Sequence, residues 1–152
     1  MSLTSTQIGE LMVQFILAGV GTLSFAVLFA CPRKSLPFCA LVGAVGWVIY
    51  ELLIMLGLDS AAAALLAVMP LTLLARLFAI SRKTPVTVFL LSGIFALVPG
   101  AGIYYTAYYF IQGSNALALS NGINTFKVAV ALAIGITLVL SVPIPQSRRN
   151  KL

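Results

Sequence analysis

Residues able to do chemistry are scarce in this 152-residue chain, and their types narrow the options. There is no histidine, and the two cysteines, Cys31 and Cys39, sit in no cluster of other ligand types. A metal centre or a nucleophile–base pair therefore has almost nothing to work with, and no cofactor is expected. What stands out is the run Pro99-Gly100-Ala101-Gly102, interrupting a long apolar stretch, together with Glu51 and Lys127, each set among apolar residues. Proline lacks an amide and clashes with the preceding turn, and two glycines weaken a helix further. A helix restarting near Ala101 would present free amides and its positive dipole end, suited to a carboxylate. The alternative is a plain proline kink with no ligand. Pro70 reads as such a kink.

An ammonium inside a membrane costs several kcal/mol unless paired or wetted, so Lys127 is a functional candidate by default. Asn124, Ala131 and Gly135 share its helical face. The competing reading is a lysine whose stem snorkels to the interface. Glu51 reads either as a proton carrier with a raised pKa or as a glutamate just inside the interface. Arg76 lies within snorkelling reach of a helix end. Tyr104 and Tyr108, four apart, share a face and either line the site or belong to an ordinary interfacial belt with Tyr105.

The elements that must hold these residues follow from composition. The chain is 61% hydrophobic and 8% charged, against about 25% charged for globular chains. It reads as an all-α polytopic membrane protein, one domain over 1–152, with about five transmembrane helices. The expected spans are 8–30, 36–56, 61–80, 86–111 (broken at Pro99-Gly100) and 122–140, with a polar loop at 112–121. Either side of Pro99 alone is too short to cross about 30 Å of hydrocarbon.

Nine Lys and Arg face three Asp and Glu, and the basic residues cluster just beyond apolar stretches: Arg33-Lys34, Arg82-Lys83 and Arg148-Arg149 with Lys151. That is the pattern of cytoplasmic loops, giving an outside N-terminus and a cytoplasmic C-terminus. No base-reading motif accompanies the charge, so nucleic acid is not an expected partner. The first ten residues have no basic n-region, so the first span is expected to stay in the mature chain. Cys31 and Cys39 bracket the first basic loop and are expected to remain reduced. Counting depth along the helices places Glu51 and Lys127 at roughly the same height, about 7 Å outside the midplane, with Tyr104 nearby.

The run Phe95-Ala96-Leu97-Val98-Pro99-Gly100-Ala101-Gly102-Ile103-Tyr104-Tyr105 resembles the Pro-Gly-containing span of the threonine/serine exporter family. The stretch Thr125-Phe126-Lys127-Val128-Ala129-Val130-Ala131-Leu132-Ala133-Ile134-Gly135-Ile136 is similar to the span that follows it there. The turn at Pro32-Arg33 and the region from Cys39 to Trp47 fit the same family. The resemblance implies a multi-pass protein of the bacterial inner membrane. It implies in particular the smaller, membrane-only subunit of the split form, partnered by a homologous larger subunit that carries a soluble domain. Split pairs of this kind are linked to export of succinate-like dicarboxylates as well as of threonine and serine.

The leading expectation is thus a non-enzymatic exporter subunit. Its substrate site would be built from Lys127, Glu51, Gly100, Ala101, Gly102, Tyr104, Tyr108 and Asn124, with the helix break at Pro99 and Gly100. Five spans enclose no route alone, so a partner or a homo-oligomer within the lipid is expected. The alternative is a scaffold or regulatory subunit of such a complex that moves nothing itself.

Overall fold

A computed structural model describes residues 5–143, and the basic cluster at Arg148, Arg149 and Lys151 lies outside them. Six α-helices follow in order: α1 (Ser5–Leu28), α2 (Leu36–Met55), α3 (Ser60–Arg82), α4 (Val86–Ile94), α5 (Gly100–Ile111) and α6 (Asn115–Ser141). A single 3₁₀ turn, Arg33–Ser35, leads into α2. Helices α1, α2, α3 and α6 are each long and apolar enough to cross a membrane. The short pair α4 and α5 occupies the stretch read as one broken span.

Helix ends are written locally. Helices α1, α2, α3 and α5 each stop with a residue of positive φ: Ala30, Gly57, Lys83 and Gly113. In each case the next amide reaches back five residues, as in Cys31 N–H to Ala26 O at 3.0 Å and Thr84 N–H to Ala79 O at 3.0 Å. That pattern satisfies carbonyls a helix end would otherwise leave bare. The Asp59 carboxylate caps α3 by accepting from the Ala61 amide at 3.2 Å. Pro70 lies inside α3 without ending it.

Helix α3 is the centre of the molecule. It packs against α2, α4 and α6, while α1 lies on the far side of α2. Its buried residues include Ala63, Ala64, Ala67, Ala75 and Ala79, with Val68 and Leu71 filling the core. Small side chains let helix backbones approach closely, which is how apolar helices associate when lipid is as apolar as they are. Glycines do the same: a Cβ on Gly43 would collide with Thr22, one on Gly46 with Leu71, and one on Gly93 would lie 2.6 Å from Val42 Cγ1.

Helix α6 differs from its expected span. It begins at Asn115 rather than near residue 122, so the polar loop expected over 112–121 shrinks to a tight turn. At 1.5 Å per residue α6 is about 40 Å long. Its second half lies along α3, with Gly135 against Val68 and Leu65. Its first half runs past the start of α3 and pairs with α5, where Gly122 meets Thr106.

Candidate functional site

The break between α4 and α5 is ordered by its own hydrogen bonds. The last turn of α4 tightens, with the amides of Leu97 and Val98 both donating to Ile94 O (2.8 and 3.1 Å). Leu97 is buried in the core and anchors the turn. The Gly100 amide bends back to Val98 O at 2.7 Å, and Ile103 N–H to Pro99 O at 3.1 Å starts α5. Among the described residues, no backbone amide donates to the carbonyls of Phe95, Ala96 and Leu97. The amides of Ala101 and Gly102 likewise have no backbone acceptor. The break thus displays the negative end of one half-helix close in sequence to the positive end of the next. Open space surrounds Gly100: a Cβ there would meet nothing within 4 Å.

Of the residues singled out above, Lys127 and Asn124 are exposed on α6, just beyond the first turn of α3. Thr125, between them, packs so closely on Gly102 that a Cβ there would collide with its hydroxyl. This contact brings the start of α5 to the level of Lys127. Lys127 borders two clefts. One, of about 1230 Å³, runs along the α5–α6 hairpin past Ile103, Thr106, Gly122 and Phe126. The other, of about 400 Å³, lies between α6 and Ala61, Ala62 and Leu65 of α3. Ala131 and Gly135 continue the same face into the α3 contact. Lys127 thus stands beside the first turn of α3.

Glu51 is half-buried on α2. Helix α2 packs on α1, α3 and α4, whereas α6 packs on α3 and α5. Helix α3 is thus the packing partner that the two helices share. Tyr104 and Tyr108 stack at 6.1 Å between ring centroids on an exposed face of α5, and Gln112 Nε2 donates to Tyr108 Oη at 2.8 Å. Arg76 reaches across to α6, its guanidinium donating to Val139 O and, at 2.6 Å, to Val142 O. It caps the bare carbonyl end of that helix, a contact that the snorkelling reading does not foresee.

A polar contact that sequence reasoning did not single out lies on the other side of the break. Trp47 Nε1 donates to Gln14 Oε1 at 2.9 Å, at a cleft of about 430 Å³ lined also by Thr22, Phe25 and Ala96. The Thr22 hydroxyl is buried there without a partner. The available signal was a glutamine and a threonine on one apolar helix.

A helical chain with several membrane-crossing segments and a half-helix break is a multi-pass membrane protein of a transporter kind. Residues 14–142 match the family described as "Threonine/Serine exporter, ThrE". The chain belongs to the threonine/serine exporter family. No solved structure matches it.

Proposed function

We propose that the chain is the membrane-only subunit of a two-component secondary exporter of small carboxylate-bearing metabolites. It works in the bacterial inner membrane beside a homologous larger subunit with a soluble domain. The observation that carries this reading is the broken span: unpaired carbonyls at 95–97 and unpaired amides at Ala101 and Gly102, in a hairpin that also holds Lys127. The amides and Lys127 take a carboxylate. The carbonyls suit a substrate ammonium, since half-helix ends of both signs bind both charges of a zwitterion. This favours an α-amino acid such as threonine or serine over a dicarboxylate such as succinate, whose second carboxylate would face carbonyl oxygens. Asn124, Tyr104 and Tyr108 are secondary contacts. Glu51 would act on substrate only along a path completed by another chain.

The orientation is proposed as N-terminus outside, with the α5–α6 turn outside and the tail cytoplasmic. A cysteine at Ser114 should then label from outside and one at Ser147 from inside; labelling of both from one face defeats it. Transport is tested by efflux of radiolabelled threonine, serine and succinate from cells with and without this chain and its partner. Efflux that requires both is expected, with Lys127→Met abolishing it at unchanged membrane abundance. Efflux indifferent to Lys127→Met but lost with the whole chain would favour the scaffold reading.

A further inference from the structure

Cys31 and Cys39 are eight residues apart in sequence, on either side of the Pro32 turn that joins α1 to α2. The fold turns both toward α4. Each thiol donates to the same acceptor, the carbonyl oxygen of Val88, at 3.7 Å from Cys31 Sγ and 3.6 Å from Cys39 Sγ. Both sulfurs thus sit within 3.7 Å of one oxygen atom. The Ser92 hydroxyl donates to that oxygen as well, at 2.9 Å. Cys39 is fully buried, whereas Cys31 is only half-buried at the rim of the bundle. Both are free thiols.

We propose that Cys31 and Cys39 form a redox-active dithiol, closed to an intramolecular disulfide by a low-molecular-weight disulfide of the glutathione class. Exposure decides the order of events. The Cys31 thiolate attacks one sulfur of the incoming disulfide, making a mixed disulfide and expelling one thiolate. Cys39, the neighbour shielded from solvent, then attacks Cys31 Sγ and expels the second thiolate. The two protein thiols lose two electrons and two protons, and the small disulfide takes them up as two thiols. Access is favoured by charge. Arg33 and Lys34 follow Cys31 one residue on, after Pro32, and Arg82 lies 4.0 Å above the ring of Phe38, the residue before Cys39. These cations attract an anionic small disulfide, and reactive cysteines characteristically occupy such electropositive, partly exposed positions.

The consequence reaches the broken span. Val88 belongs to α4, the half-helix that ends at the break. Reduced, the two S–H donors tie the α1–α2 turn to it. Oxidised, the pair has no S–H left, and the hold on Val88 is released. This is a point of control independent of which solute is moved.

The test uses the full chain in native membranes treated with oxidised glutathione. Remaining thiols are then alkylated and the protein is read by intact and peptide mass. Wild type is expected to lose both alkylatable thiols together and to yield a peptide linked through Cys31 and Cys39. Cys39→Ala, with Cys39→Ser as a second variant, should stop at a mixed disulfide on Cys31. Cys31→Ser should leave Cys39 unmodified. Amide exchange over Val86–Ile94 should rise on oxidation of wild type and not of Cys31→Ser. A wild-type chain that stops at the mixed disulfide, that crosslinks two chains through Cys31, or that leaves both thiols free overturns the dithiol. A formed disulfide with unchanged exchange in α4 overturns its link to the broken span.

Discussion

The bundle of α1 to α4 and the hairpin of α5 with the first half of α6 are used differently. In the bundle, α3 buries eight of its residues, and Gly43, Gly46 and Gly93 each lie against a side chain of a neighbouring helix. In the hairpin, α5 buries none, and its Tyr104, Tyr105, Tyr108 and Phe110 are exposed. What separates them is burial: α3 is enclosed by α2, α4 and α6, whereas α5 packs on α6 and borders a wide cleft that Lys127 also lines.

That contrast predicts a graded set of outcomes. The largest effect belongs to Gly43→Val, which forces a side chain into Thr22 and should remove most of the protein from the membrane, as quantitative blotting would read. Gly100→Ala has free space and should leave abundance unchanged; equal loss from both would erase the distinction. Leu71→Ala, at a fully buried position, should cost about 2–5 kcal/mol. Tyr108→Ala in the hairpin should stay within about 0.5 kcal/mol. Reversible unfolding of the solubilised protein compares the two, and a Tyr108→Ala cost as large as that of Leu71→Ala would mean the hairpin is packed after all.

Arg76→Met is expected to cost about 1–3 kcal/mol, because it leaves two carbonyls at the end of α6 without their charged donor. Faster amide exchange near Val139 and Val142 would mark it, and unchanged protection there would remove the capping role. The smallest effect is that of Gln14→Leu, about 0.5–1.5 kcal/mol from loss of the Trp47 hydrogen bond. Trp47 fluorescence should report the change, and an unshifted spectrum would count against the contact.

The helix-by-helix outline was legible because it rests on local rules. Apolar length sets a membrane helix, and Pro99, which has no amide to donate, marks the break from which α5 restarts. The start of α6 was misplaced for a definite reason. The polar residues Asn115, Ser120 and Asn121 look like a loop to any scale of hydropathy, but Ala118 and Gly122 give α5 a surface to pack on, and the backbone stays helical beneath them. Gly57 and Gly113 announce their turns, whereas Ala30 and Lys83 adopt the same positive φ with nothing in their side chains to advertise it.

Sequence by itself thus determined the membrane class, the broken span, and where along the helices the few charged and polar side chains stand. The tertiary structure alone decided which of those groups meet. Depth along a helix can be counted, but lateral position cannot, so it had to come from the fold that the helices carrying Glu51 and Lys127 share α3 as a packing partner. Arg76 found the end of α6, and Cys31 and Cys39 converged on Val88, by the same logic in reverse. Contacts between residues far apart in the chain depend on which faces pack, and small residues spread over several helices settle that together.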